Sequence, residues 1–257
     1  MELSKRLQAV ADLLDYHDRI ADIGCDHGFV SIYLVENRKA ARCLAMDVNK
    51  GPLERAREHI QEKRLSTYIE TRLSNGAEKI DFIEVNDEKR LEVDAALIAG
   101  MGGRLMIRII QDSLEKFQSM DEFVLQPQSE IAKVRQYIRE IGYHIAKEDM
   151  VLEEGKFYPM MKVVKGSREK VIPDFLQRNH LPDNTELQKL YDEYGESLLN
   201  DRHPVLLQFL KKEKELYQEI LENLLKMDTL KSEIRQKEIT DKLKYIQWGL
   251  EWFWNEV

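Results

Sequence analysis

Asp22-Ile-Gly-Cys-Asp-His-Gly28 gathers two carboxylates, an imidazole, a thiol and two glycines within seven residues. The stretch follows an apolar run, Arg19-Ile-Ala-Asp-Ile23, and precedes a helical pattern from Phe29 to Asn37. Its glycines therefore fall where the backbone must turn sharply and come close to a ligand. The spacing is D-x-G-x-x-x-G rather than the G-x-G-x-x-G of dinucleotide binding, and no G-x-x-x-x-G-K-[ST] is present to cradle phosphates. A ligand other than NAD or ATP is indicated. Asp47 stands about 25 residues after Asp22, at the end of the apolar run Cys43-Leu-Ala-Met46, where a carboxylate can accept hydrogen bonds from both hydroxyls of a ribose. Plainer roles stay open for both: an ordinary strand-to-helix turn for Asp22 to Gly28, and a helix cap for Asp47, which precedes Asn49, Gly51 and Pro52.

Three more clusters sit after apolar runs: Ser74-Asn-Gly76, Ala99-Gly-Met-Gly-Gly103 and Gln126-Pro-Gln128. Gly100, Gly102 and Gly103 remove side chains where two ligands would have to meet, and Gln126 and Gln128 offer amides that can address a base edge. Arg104 and Arg108 open the next helical stretch and can meet phosphates, as can Lys5, Arg6, Arg19, Lys133, Arg135 and Arg139; a solvated helix face is the alternative for each. His17, His59, His144, His180 and His203 show no metal-ligand spacing, and neither C-x-x-C nor H-E-x-x-H occurs, so no metal is expected. Cys25 and Cys43 lie in apolar runs and read as reduced, packed thiols.

These clusters need a frame that brings them to one edge. Residues 3 to 14 carry a helical stripe of Leu3, Leu7, Val10, Ala11 and Leu14, with Ser4 or the residues just before it as a cap. Strand-like runs then alternate with amphipathic stretches: strands at 19–23, 43–46, 67–73, 94–98 and 123–125, helices at 29–37, 52–63, 103–117 and 131–141. Such alternation predicts an α/β fold, a parallel sheet with helices on both faces. After Gly142 two strand-like runs, 143–152 and 156–164, flank Glu153-Glu-Gly155, which predicts an antiparallel hairpin closing a mostly parallel seven-stranded sheet. Around Lys165 to Arg168 the composition shifts, and beyond Pro173 strand signals vanish, dividing the chain into residues 1–166 and a helical, coiled-coil-like domain at 167–257.

In that second part a helix is expected from Thr185 to Leu199. Leu206, Leu210, Glu213, Tyr217, Ile220, Leu224 and Met227 recur at spacings of four and three, and Ile239, Leu243, Ile246, Leu250 and Phe253 repeat the rhythm. This predicts a helical hairpin turning at Asp228-Thr229. Trp248, Trp252 and Trp254 close it as packing or as a docking patch.

With 39 Lys plus Arg against 47 Asp plus Glu the net charge is -8, and 43% of residues are hydrophobic. That excludes a disordered chain, a collagen, a disulfide scaffold and a histone-like basic protein. The deficit is evenly spread: residues 168–257 hold 14 basic and 18 acidic side chains, leaving 25 and 29 before them. Indiscriminate nucleic-acid binding is disfavoured, while recognition of one folded RNA by local patches is not. The N-terminus lacks a signal-peptide core, and no run approaches a membrane span, so a cytoplasmic protein is expected.

Asp22 to Gly28 together with Asp47 resemble the S-adenosylmethionine-dependent methyltransferases of Rossmann-like fold. The resemblance implies that Asp22, Gly24, Cys25 and Gly28 hold the methionine end of the cofactor, Asp47 and Val48 the ribose, and Asn75 and Gly76 the adenine, with Ala99, Gly100 and Met101 completing the cofactor site. Many such enzymes carry Asp where this chain has Asn75, whose amide oxygen can still address the adenine amino group. DIGCDHG, DVNKGP, AGMGG and LQPQ in this order, followed by the Glu-Gly hairpin and a long helical tail, resemble the bacterial tRNA adenine-N1 methyltransferases that modify adenine 22 in the D-arm, the TrmK family, over the whole chain. The partner implied is tRNA, met by Gly102, Gly103, Arg104 and Arg108, without membrane or metal; a monomer is expected, with a dimer left open. Asp26, His27, Gln126 and Gln128 are the implied catalytic group, Asp26 foremost as an electrostatic or proton-accepting side chain. A methyltransferase of a small molecule or protein, and a non-catalytic cofactor-binding interaction protein, remain alternatives.

Overall fold

The computed structural model describes residues 3–166, 184–226 and 229–254. The chain divides into two compact units, Met1–Arg168 and Glu169–Val257.

The first unit begins with helix α1 (Lys5–Leu13), whose N-cap Ser4 accepts a hydrogen bond from the Leu7 N–H. Five elements follow in alternation: β1 (His17–Ile23), α2 (Phe29–Glu36), β2 (Ala40–Asp47), α3 (Lys50–Glu62) and β3 (Ile69–Leu73), then a small hairpin of β4 (Phe82–Val85) and β5 (Glu88–Leu91) before β6 (Ala95–Met101). The rest comprises α4 (Gly103–Asp112), α5 (Leu114–Ser119), β7 (Glu122–Pro127), α6 (Ile131–Glu140), β8 (Tyr143–Glu153) and β9 (Lys156–Lys165). Seven strands form one sheet in the order β3-β2-β1-β6-β7-β9-β8. The first five are parallel, and β9 is antiparallel to both β7 and β8.

Alternation along the strands sorts the core into two layers. Ala21, Ile23, Leu44, Met46, Ala96 and Ile98 face Met106, Ile109 and Ile110 of α4 and Val134 and Ile138 of α6. Ile20, Cys43, Ala45 and Leu97 face Val10 and Ala11 of α1, Ile32 and Leu34 of α2, and Leu53 and Ile60 of α3. Asp22 shares the second face with Ile20, so its carboxylate meets α2. Because β1 feeds β2 on one side while β6 lies on the other, the order reverses at β1, and the carboxyl ends of β1 and β6 flank the crevice where open α/β sheets bind ligands.

The expected Glu-Gly hairpin is present. Glu154 and Gly155 both have positive φ, 49° and 76°, and Glu153 pairs with Lys156, the two-residue turn that suits twisted strands. Asn86 and Asp87 (φ 55° and 65°) build an equivalent turn between β4 and β5, a hairpin not anticipated in the sequence. The helix expected at 103–117 is two helices, because Ser113 leaves the helical region (φ -133°).

In the second unit the stretch expected as one helix at 185–199 is also two, α7 (Asn184–Tyr194) and α8 (Glu196–Asn200), broken at Gly195 with φ 89°. Two long helices follow, α9 (Pro204–Leu224) and α10 (Leu230–Trp254). They run antiparallel: Lys214 Nζ donates to Gln247 Oε1 at 3.1 Å, and Gln236 Nε2 to the Leu224 carbonyl at 3.0 Å. Gly249 lies so close to Leu210 that a Cβ there would stand 3.2 Å from either of its methyl groups. Leu206, Leu210, Ile239, Ile246 and Leu250 are buried, whereas Tyr217, Ile220 and Leu224 are only half-buried. Trp252 is packing, with its indole N–H donating to Asn200 Oδ1 at 3.3 Å, while Trp254 is exposed. Ser167 and Arg168 of the expected boundary, Pro173, Met227 and Asp228 lie outside the described residues. No helix among the described residues is long and apolar enough to cross a membrane.

Candidate active site

A cleft of about 490 Å³ opens along the carboxyl ends of β1, β2, β3 and β6. Its floor is made by the turn after β1. Gly24 takes φ 80°, and the Gly24 and Cys25 N–H groups both donate to the Met46 carbonyl at 2.8 Å, which ties the loop to β2. A Cβ on Gly24 would displace the flexible end of the Met101 side chain, and the φ of 80° favours glycine there. Asp26 takes φ 49°, which turns its carboxylate outward, 66% exposed.

Two acids are buried at the cleft. Asp22 accepts a 2.6 Å hydrogen bond from Ser31 Oγ of α2; burial outweighs this bond and pushes its pKa up to about 6. Asp47 accepts the Asn49 N–H on Oδ1 at 2.8 Å and the Asp26 N–H on Oδ2 at 3.3 Å. Each Asp47 oxygen keeps a lone pair for a further donor, and among the described residues no Lys or Arg pairs with either acid. At the end of β3, Asn75 Nδ2 donates to Glu78 Oε1 at 2.7 Å, which leaves the amide oxygen as an acceptor. Exposed Val48 and Leu105, with buried Ile109, supply apolar walls around Asn75 and Gly76.

At β6 the ladder with β7 shifts register between Ala99 and Met101, leaving Gly100 as a bulge at φ 78°. Such bulges re-aim the chain beside functional sites. Ala99, Gly100 and Met101 line the cleft, as does exposed Gln128. His27 also lines it. Its Nδ1 accepts from Arg55 Nε at 3.2 Å, so the ring proton sits on Nε2, which lies 3.5 Å from Asp26 Oδ1.

The sequence-derived residues are thus mostly brought together: Asp22, Gly24, Cys25, Asp26, His27, Asp47, Val48, Asn75, Gly76, Ala99, Gly100, Met101 and Gln128 share one cleft. Six others do not line it. Gly28 caps α2 at φ 74°, and a Cβ there would stand 3.0 Å from that of Ala56, so it serves close packing of α2 on α3. A Cβ on Gly103 would meet the Ser129 carbonyl at 2.5 Å, and one on Gly102 would meet Ser129 Oγ at 3.2 Å, which makes both packing glycines of the α4 entry. Gln126 is fully buried, its Oε1 accepting from Arg6 at 2.8 Å and from the Gly100 N–H at 3.1 Å. Arg104 pairs with Glu130 at 2.8 Å and Arg108 with Asp112 at 3.4 Å, both on the exposed face of α4.

Arg6, weighed in the sequence only for phosphates, does line the cleft, as do Ser74 of the Ser74-Asn-Gly76 cluster and Leu105 and Ile109, for which the sequence held no chemical signal. Cys25 and Cys43 are free and buried, and burial raises both thiols far above their ordinary pKa.

The residues present fit a nucleoside cofactor with a cationic amino-acid arm: an acid with free lone pairs at β2, an amide acceptor between apolar walls at β3, and a glycine cradle over a buried acid at β1.

Comparison with known proteins agrees with this geometry. The chain is 28% identical to the tRNA (adenine(22)-N(1))-methyltransferase of Bacillus subtilis over 249 residues, 96% of each chain. The crystal structure of the Bacillus subtilis M1A22 tRNA methyltransferase TrmK superposes with a TM-score of 0.76 at 26% identity, covering 97% of this chain and 99% of that one. A Streptococcus pneumoniae structure in complex with S-adenosyl-L-methionine gives a TM-score of 0.77 at 27% identity, covering 97% and 100%. The sequence profile of the methyltransferase domain family matches residues 3–161, the stretch that holds every wall of the cleft, and the chain belongs to that family.

Proposed function

We propose that this protein transfers a methyl group from S-adenosylmethionine to N1 of adenine 22 in the D-arm of tRNA. The observation that carries the reading is the cofactor-shaped cleft of a methyltransferase domain in a chain that matches an adenine-22 tRNA enzyme along 96% of its length, helical unit included. A methyltransferase of small molecules or proteins would share the cofactor half without calling for that helical unit. Intact Asp22, Gly24 and Asp47 argue against a non-catalytic binding protein.

Bound in the cleft, S-adenosylmethionine supplies a methyl group made electrophilic by its sulfonium. Asp47 holds the two ribose hydroxyls with its free lone pairs, and the Asn75 amide oxygen accepts from the adenine amino group between Val48, Leu105 and Ile109. The remaining task of the protein is positional, since N1 of neutral adenine has its own lone pair. The bulge at Gly100 leaves room for the target base, and the Gln128 amide orients its exocyclic amine. The outward Asp26 carboxylate stabilises the positive charge that N1-methylation leaves on the base, and the Nε2–H of His27 orients Asp26. No covalent nucleophile is required, in keeping with the buried Cys25 thiol.

For the RNA, exposed cations on α4 and α6 provide local contacts. Arg104 and Lys133 share Glu130, which these hydrogen bonds hold below its ordinary carboxylate pKa. With net negative charge on both halves of the chain, affinity rests on shape and a few such groups and falls with salt. The reading goes with a cytoplasmic protein, where tRNA is matured, acting without metal as a monomer, with a dimer left open. Incubation with labelled S-adenosylmethionine and unmodified bacterial tRNA, followed by nucleoside analysis, tests the reading. N1-methyladenosine is expected; its absence from every competent tRNA would overturn it.

A further inference from the structure

Gln128, Ser129 and Glu130 link β7 to α6, and the link is pinned to the start of α4. The Gln128 N–H donates to the Met101 carbonyl at 2.8 Å, and the Gly103 N–H donates to the Ser129 carbonyl at 3.1 Å. Gln128 is thereby held at the cleft wall. Glu130 sits at the N-cap of α6 with φ 52°, a left-handed conformation that a residue other than glycine keeps only where its surroundings over-determine it. An acceptor side chain at an N-cap ordinarily takes a free N–H of its own helix. This carboxylate makes no such bond. Its Oε1 instead accepts from Arg104 Nε of α4 and from Lys133 Nζ of α6, both at 2.8 Å.

The way the acid holds its two cations leaves them usable. Arg104 is engaged side-on through Nε, so its two Nη groups keep four N–H donors, and Lys133 keeps two more. Among the described residues neither cation has another side-chain partner. The Arg104 side chain is 80% exposed and that of Lys133 59%, against 25% for the acid that anchors them. Six free donors around a net charge of one suit a phosphodiester: the Nη pair matches two non-bridging oxygens, and the ammonium adds a point charge. Arg108 differs, since it pairs with Asp112 of its own helix at 3.4 Å and ties α4 to nothing else. Without Glu130 the two cations would carry two charges on free stems and serve any phosphate. With it the attraction is weaker and the donors are held in one direction, which favours one partner over others. Direction matters here because Glu130 lies two residues from Gln128 in the pinned link. A phosphate seated on Arg104 and Lys133 therefore stands at a fixed offset from the amide that orients the target base.

We propose that Glu130 is a positioning residue that turns Arg104 and Lys133 into a directed clamp for one phosphodiester of the RNA, lowering general RNA affinity in return for alignment of the target base. This rests on the tRNA reading above. The test uses the full chain and its Glu130→Gln, Glu130→Ala, Arg104→Ala/Lys133→Ala and triple variants. Two readouts are taken: kcat and KM on tRNA with adenine at position 22, and the affinity of poly(U), an RNA without fold. Glu130→Ala should bind poly(U) about threefold more tightly, the effect of removing one unit charge about 6 Å away in water. Its kcat should fall about 10-fold through misalignment, with no rise in KM. Glu130→Gln, which keeps an amide oxygen for Arg104, should gain the same poly(U) affinity and retain more of kcat. In the background lacking both cations, Glu130→Ala should change kcat by less than about twofold. An unchanged kcat, a weaker hold on poly(U), or a Glu130 effect that persists without the cations would overturn the proposal; a shift in Tm alone would make the cluster merely structural. Should the native protein methylate no tRNA, the tRNA reading fails instead, and the poly(U) arm still judges the clamp. Thermal melting identifies a variant that has not folded, in which case Glu130→Gln decides.

Discussion

The two edges of the central sheet treat buried charge in opposite ways. At the amino edge it is closed off. Glu122 accepts the Asp15 N–H at 2.7 Å and Lys162 Nζ at 2.5 Å, with His17 Nε2 at 3.1 Å, and Arg19 bridges Glu70 and Glu92 at 2.6 and 3.1 Å. Burial works to raise the Glu122 pKa, but its hydrogen-bond partners win and hold it below the usual range, while Glu122 raises that of His17. At the carboxyl edge, Asp22, Asp47 and Arg6 are held by a hydroxyl, backbone N–H groups, an amide and an aromatic ring, none of which cancels their charge. On the proposed function, the difference separates groups that stabilise the fold from groups kept available for a ligand. Buried charge alone does not mark a site; buried charge without a counter-charge does.

Paired substitutions can break that contrast. The largest effect is expected at Asp47: Asp47→Ala should weaken S-adenosylmethionine binding about 100-fold or more by calorimetry, since two hydroxyls lose a charged acceptor, with little change in Tm. Unchanged affinity would mean that the ribose lies elsewhere. At the other edge, Glu122→Gln should cost about 3 kcal/mol in denaturant unfolding, because His17 loses its counter-charge and Lys162 keeps only Asp15, while cofactor affinity stays the same. A loss of affinity instead would erase the distinction between the edges.

Asp22 sharpens the comparison through pH. Its pKa is raised from 3.8 to about 6 in the free protein, so the fold favours the protonated acid, and this residue's contribution to stability falls as pH rises from about 4 to 6. A cationic ligand reverses the preference. Cofactor affinity should therefore rise about 10-fold between pH 5 and 7, with proton release on binding, and Asp22→Asn should flatten that dependence. A flat profile in the native protein would remove Asp22 from the site. The smallest effect is expected on the helix face outside the cleft: Arg104→Ala should lower tRNA affinity several-fold and reduce the log-log salt slope by about 0.7 to 0.9, leaving cofactor affinity untouched.

Much of this was legible in the sequence because local rules and tertiary demand agree there. The parallel βα alternation, the Glu154-Gly155 turn and the loops after β1, β2, β3 and β6 each carry residue types and spacings that match the element they join. The β4–β5 hairpin was hidden by its polarity, its turn marked only by Asn86-Asp87. Ser113 breaks α4 from α5 without Gly or Pro, and at Gly195 a visible breaker was overridden by an apolar stripe that continues through it. The expected site residues that fall outside the cleft lining are those whose type is ambiguous. Gly28 and Gly103 allow close approach of helix and loop, and only their neighbours Ala56 and Ser129 reveal it. Gln126 and Arg6 meet across 120 residues of sequence, so no local pattern could show that one amide positions the other's charge.

The central claim is that the carboxyl edge presents a methyl donor to N1 of one adenine. The most direct measurement is methyl transfer from labelled S-adenosylmethionine to two tRNA transcripts that differ only at position 22, adenine in one and guanine in the other, read by mapping the modified nucleoside. The account predicts N1-methyladenosine at position 22 of the first and no label in the second. Equal labelling of both, or label on another atom or nucleotide, would contradict it.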